Sequence, residues 1–199
     1  RIETAAGEEA QVDFGRAAPV TQADGKRRRP CIFRVVLSVS RKGYSEVVWR
    51  QSSDAFIACL ENAFHHFGGV PKRLVIDNLK AVVAQADWYD PEVHPKLQSF
   101  AAHYGTAFMP TKPYTPRHKG KIESGVKYVK GNALQGRVFD SVAAQNQFLS
   151  DWESRLADTR IHGTTKRQVA ELFREERSAL LPLPADRFAC FQEAHRAVH

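Results

Sequence analysis

A short apolar run, Leu74-Val75-Ile76, is reached through an amphipathic helix pattern and not through a tight turn, and this order calls for a sheet with parallel pairing. Strands joined by a short turn lie antiparallel, whereas a strand that follows a helix can return parallel to its predecessor. Three strand-like runs come first, at about Glu9 to Gly15, Cys31 to Ser40 and Tyr44 to Arg50. Turn chemistry at Ala23 to Pro30 and at Arg41-Lys42-Gly43 joins them into an antiparallel meander. The helix has Ser53 as its expected N-cap, apolar residues Phe56, Ile57, Leu60, Ala63, Phe64 and Phe67 at helical spacing, and Gly68-Gly69 as its stop. Pro95 to Tyr104 fits a second helix closed by Gly105, and Thr106 to Met109 a fifth strand. Pro110, Pro113 and Pro116 then impose an extended stretch before a helix from about Lys119 to Leu134. The order β-β-β-α-β-α-β-α predicts an α/β fold, a five-stranded mixed sheet flanked by helices.

Beyond this core, from Ser141, helical spacing places Phe148, Leu149, Trp152 and Leu156 on one side. His162-Gly163-Thr164-Thr165 interrupts, a short helix is expected from about Arg167 to Arg177, and Leu180-Leu181-Pro182-Leu183-Pro184 is incompatible with regular helix. The expected organisation is a linker over 1–8, a core over 9–136, a helical extension over 137–179 and an extended tail over 180–199. The chain starts at Arg1 without an initiator Met, so it is expected to be a piece of a longer protein whose tail leads into a further domain.

Lys plus Arg number 29 against 22 Asp plus Glu, a net charge of +7, which favours a polyanionic partner because neutralised phosphates release counterions. Cys31, Cys59 and Cys190 are odd in number and scattered, so neither a disulfide framework nor a zinc-ligand spacing is present. No run approaches the roughly 18 apolar residues of a membrane helix. The expectation is a cytoplasmic, nucleoid-associated chain without membrane contact.

Three carboxylates carry the chemical reading. Asp13 lies in the first strand, Asp77 directly follows Leu74-Val75-Ile76, and Glu123 falls in the basic helix. A strand end and a neighbouring helix can each project one carboxylate into a shared cleft, and Mg²⁺ prefers a few fixed oxygen ligands with positions left for water and phosphate. Lys119, Glu123 and Lys127 are spaced i, i+4, i+8, with Lys130 one step further, so cations flank the carboxylate on one helix face. Blander readings stay open for each: a solvated helix with Glu–Lys pairs, a strand-end cap at Asp13, a turn at Asp77-Asn78. Lys26-Arg27-Arg28-Arg29 is either a solvated hairpin tip or a grip on DNA, and Trp88-Tyr89 either covers the core or stacks on an unpaired base.

Together, Gly7 to Gly15 around Gln11-Val12-Asp13, Ile76-Asp77-Asn78-Leu79-Lys80, and Lys119-Gly120-Lys121-Ile122-Glu123-Ser124-Gly125-Val126-Lys127-Tyr128-Val129-Lys130 resemble the catalytic core of DDE transposases of the IS21 type. His94-Pro95 before Ala102-His103-Tyr104-Gly105, and His162-Gly163-Thr164-Thr165 ahead of Leu181-Pro182-Leu183-Pro184, fit the same pattern. Such enzymes are similar to retroviral integrases and share an RNase H-like fold. The resemblance implies that Asp13, Asp77 and Glu123 hold two Mg²⁺ or Mn²⁺ ions for DNA strand cleavage and strand transfer. It implies phosphate contacts from Arg117, Lys119, Lys121, Lys127 and Lys130, with Asn78 orienting the site or touching substrate. It further implies transposon ends and target DNA as substrates, a homo-multimer on DNA and an ATPase helper protein. A nuclease that cuts without joining, and an inactive DNA-binding or assembly module of the same fold, are the alternatives.

Overall fold

In a computed structural model that describes residues 4–76, 95–110 and 125–189, the first strand β1 (Glu9–Arg16) occupies the centre of a five-stranded sheet. It pairs antiparallel with β4 (Cys31–Leu37), which pairs antiparallel with the edge strand β5 (Gly43–Val48). On its other side β1 pairs parallel with β6 (Arg73–Ile76), and β6 pairs parallel with β7 (Ala107–Pro110). The spatial order β5-β4-β1-β6-β7 is the mixed sheet the strand and helix order called for. Between β1 and β4 a small second hairpin forms from β2 (Val20–Thr21) and β3 (Arg27–Arg28).

Alternation along β1 sorts the residues between two layers. Ala10 and Val12 are fully buried on one face, with Phe14 packed beside them, against α1 (Ser53–Phe67) and α2 (Pro95–Tyr104). All six apolar positions expected of α1 are buried. Its N-cap is Ser52 and not Ser53: the Ser52 Oγ accepts the Ala55 N–H at 3.2 Å, and Gly68 closes the helix at φ 68°, a left-handed conformation natural to glycine. The opposite face carries Gln11, Asp13 and Gly15, and is covered by α3, helical over 125–134, and α4, helical over 142–157.

In α4 the expected apolar side holds for three of its four residues, with Phe148 packed half-buried beside the core. Leu149 and Trp152 are buried, but Leu156 is 59% exposed. Glu153, four residues after Leu149, faces the sheet by regular helical spacing, and the i→i+5 turn over Glu153–Ala157 then inserts one residue into the phase, which turns Ala157 inward and Leu156 out to solvent. Glu153 then forms a buried ion pair with Arg34 of β4 and accepts the Ser45 hydroxyl at 3.0 Å. Asn146, two α4 turns earlier, accepts the Val47 N–H at 2.6 Å and donates to the Val47 carbonyl at 3.1 Å. That side-chain amide occupies part of the open β5 edge, where another strand could otherwise add.

The last described helix, α5 (Val169–Arg177), sends the buried Glu176 carboxylate to the backbone N–H groups of Gly7 and Ser40. Leu181 then pairs with Val70, and the Phe188 ring packs edge-on against Phe100. Among the described residues no helix is long and apolar enough to cross a membrane. Cys59 is buried and Cys31 half-buried, both as free thiols.

Candidate active site

Asp13 sits where the parallel part of the sheet ends. The last β1–β6 pair is Val12 with Ile76, and Ile76 in turn pairs with Pro110 of β7, so the carboxyl ends of β6 and β7 finish together beside Asp13 while β1 runs on to Arg16. In open α/β sheets ligands bind outside such strand ends, because the loops that leave them diverge and open a crevice. Across the antiparallel ladder Asp13 is opposite Arg34, so both belong to the α3/α4 face. The Phe14 N–H donates to Asp13 Oδ1 at 2.7 Å, which fixes the carboxylate's rotation.

α3 is held against this strand by the absence of side chains. A Cβ on Gly15 would come within 2.5 Å of Val126 Cγ1, and one on Gly125 within 3.3 Å of Val36 Cγ2. The helix therefore packs directly on the backbone two residues from Asp13, while Val126, Val129, Ala133 and Leu134 bury its inner face. Gly15→Ala is expected to push α3 off β1. Overpacking of this kind costs about 1–3 kcal/mol, and thermal unfolding will show that moderate loss.

A groove of about 900 Å³ runs beside Asp13 and Gly15, with Lys127 and Lys130 from α3 along one side. An i→i+5 turn begins at Lys130. Of the residues expected at the site, the structure brings Asp13, Lys127 and Lys130 together at this groove. Asp77, Asn78, Arg117, Lys119, Lys121 and Glu123 lie outside the described residues, as do Trp88 and Tyr89. No cluster of three potential metal-ligating side chains occurs among the described residues. Asp13 supplies an oxygen donor of the hard type that Mg²⁺ favours, at the mouth of an open groove. Arg16, Arg27 and Arg29 also line the groove. The Lys26 to Arg29 run was a visible signal for two of them; Arg16 had none, since its side of the sheet depends on pairing register.

Residues 3–116 match the family described as Integrase core domain. The chain belongs to that family. It is 35% identical to a putative transposase of Mycobacterium tuberculosis over 92% of this chain and 45% of that protein. It is 33% identical to a transposase for an IS21-like insertion sequence element of Bacteroides fragilis, over 90% of this chain and 35% of that protein. A putative transposase of Geobacillus stearothermophilus is 30% identical over 100% of this chain and 49% of its own length. The chain thus spans half or less of the length of these relatives. The integrase core superposes on the catalytic core domain of BIV integrase with a TM-score of 0.55 at 14% identity, covering 87% of this chain and 97% of that one. The HTLV-2 integrase catalytic core domain, solved in complex with magnesium, gives a TM-score of 0.53 at 12% identity over 84% and 96%. At such identities the likeness establishes the fold, which is RNase H-like.

Proposed function

We propose that this integrase core is the catalytic part of a transposase that cleaves DNA strands and joins them by in-line phosphoryl transfer, with Asp13, Asp77 and Glu123 as its carboxylates. The observation that carries the reading is the place of Asp13: central strand, carboxyl end of the parallel ladder, at a groove flanked by Lys127 and Lys130. Chain connectivity supports the other two carboxylates. Asp77 is bonded to Ile76, whose partner Val12 precedes Asp13, and Glu123 lies two residues before Gly125, which packs on Val36 of β4. Two residues span at most about 7 Å, so the chain length permits Glu123 to reach the groove.

In this reading the three carboxylates hold Mg²⁺ or Mn²⁺, which when bound lowers the barrier by activating the attacking oxygen and stabilising the leaving one. Lys127 and Lys130 bind the strand's phosphates and orient it, and the Phe14 N–H keeps Asp13 in one rotamer. Transposon ends and target DNA are the substrates, with Arg117, Lys119, Lys121 and Asn78 as further contacts. A homo-multimer, an ATPase helper and a cytoplasmic location beside the nucleoid complete the proposal.

Converging carboxylates repel one another, so a bound cation should stabilise the fold. Mn²⁺ at a hundredfold excess over its Kd adds about 2.7 kcal/mol, or roughly 5–10 °C in Tm for a chain of this size. An unchanged Tm on titration counts against a shared site. The decisive assay supplies precut DNA ends and target DNA with Mg²⁺. Joined products support the transposase. Cutting without joining indicates a nuclease, and metal-independent DNA binding with neither reaction indicates a binding module.

A further inference from the structure

We propose that the β2–β3 hairpin forms a second phosphate-binding wall of the groove, so that a DNA backbone passing Asp13 is held between Arg27 and Arg29 on one side and Lys127 and Lys130 on the other. This deepens the transposase reading and rests on it for the identity of the polyanion.

The geometry has three parts. First, the arginine run is divided between two sides: Arg27 of β3 and Arg29 just beyond it line the groove, while Arg28 between them does not. All three are exposed.

Second, the hairpin is anchored. The Thr21 N–H donates to the Phe139 carbonyl at 2.9 Å, the Phe139 N–H donates to the Pro19 carbonyl at 2.9 Å, and the Ala17 N–H donates to the Pro30 carbonyl at 3.0 Å. The Phe139 ring packs against Phe148 of α4 at 5.4 Å. Both arginine backbones therefore stand in place before a ligand arrives, which reduces the ordering cost of binding.

Third, the charge is one-sided. Asp13 is the single carboxylate among the described lining residues, against Arg16, Arg27, Arg29, Lys127 and Lys130. None of these five cations has an ion pair among the described residues. Cations facing each other across a groove repel, and a line of phosphates between them removes that repulsion and releases the phosphates' own counterions.

The test measures DNA binding by fluorescence anisotropy on the full chain carrying Asp13→Asn, without divalent metal, on two unrelated duplex sequences between 50 and 200 mM salt. Each phosphate contact contributes about 0.9 to the slope of log K against log salt. Arg27→Gln/Arg29→Gln is expected to lower that slope by about 1–2 and to weaken both sequences equally. Arg28→Gln, the same change on the far side of the same hairpin, is expected to leave the slope as it was. Equal losses from Arg28→Gln and from either groove-facing single variant, or an unchanged slope in the double variant, overturn the proposal. Circular dichroism of each variant establishes that the sheet is retained, and a double variant that loses the sheet is replaced by Arg27→Lys/Arg29→Lys compared with the single Gln variants. Binding is read without catalysis, so a chain that shows this pattern but never joins strands sinks the transposase reading alone. Strand joining with an unaltered slope sinks the hairpin wall alone.

Discussion

Asp13→Asn will lower DNA cleavage and strand transfer by roughly 10³-fold or more while leaving the fold and metal-free DNA binding intact. The magnitude follows from what is removed. A charged oxygen donor becomes a neutral amide, and the several kcal/mol that metal coordination contributes to a phosphoryl-transfer transition state is lost with it; each 1.36 kcal/mol is tenfold in rate. The fold is spared because Asp13 is only half-buried and Asn is nearly isosteric. Its side-chain oxygen can still accept the Phe14 N–H. Loss of a negative charge from a cationic groove should if anything tighten DNA. The measurement pairs a strand-transfer assay with a melting curve and a binding isotherm. A variant that retains a tenth of the activity removes Asp13 from the metal site, and one that unfolds assigns it a structural role instead.

Glu153→Ala will cost about 3–5 kcal/mol, the usual penalty for stranding one member of a buried ion pair, and so lower Tm by about 6–20 °C. Arg34 and Glu153 side chains are each 4% exposed. Burial, with Arg160 nearby, pushes the Arg34 guanidinium down to about 9, which leaves it charged at neutral pH and dependent on its partners. Those partners are Glu153 and the Ser45 hydroxyl, which accepts at 2.7 Å. Gly43 belongs to the same device, since a Cβ there would strike the guanidinium. Yet Arg34 Nε and Glu153 Oε2 have no hydrogen-bond partner among the described residues, so the network is incompletely satisfied. An incompletely satisfied network adds little net stability. Arg34→Met/Glu153→Leu should therefore recover most of what Glu153→Ala loses. Chemical denaturation of the three proteins decides it: a double variant as unstable as the single one shows that the ion pair, and not the avoidance of a lone charge, stabilises the contact between α4 and the sheet.

Much of the sheet could be read in advance. The meander, the helix stop at Gly68 and the apolar period of α1 are local signals, and the order helix then Leu74-Val75-Ile76 leaves parallel pairing with β1 as the natural arrangement. The Ser52 cap was missed by one residue because two consecutive serines offer equivalent hydroxyls, and only backbone geometry selects between them. The outward turn of Leu156 was not legible at all. A single i→i+5 turn shifts the phase of every later residue, and no residue type announces it.

At the candidate site the division has the same origin. Residue identity alone marks Asp13 as a carboxylate in a strand and Lys127 and Lys130 as helix cations, because side-chain chemistry and periodicity are properties of short segments. Register places Asp13 at the end of the parallel ladder, helix packing on Gly15 sets α3 beside it, and the anchoring of β2–β3 on Phe139 turns Arg27 and Arg29, but not Arg28, toward the same groove. These are contacts between residues far apart in sequence, and their positions follow from how two layers of side chains fit across a sheet, which no local pattern encodes.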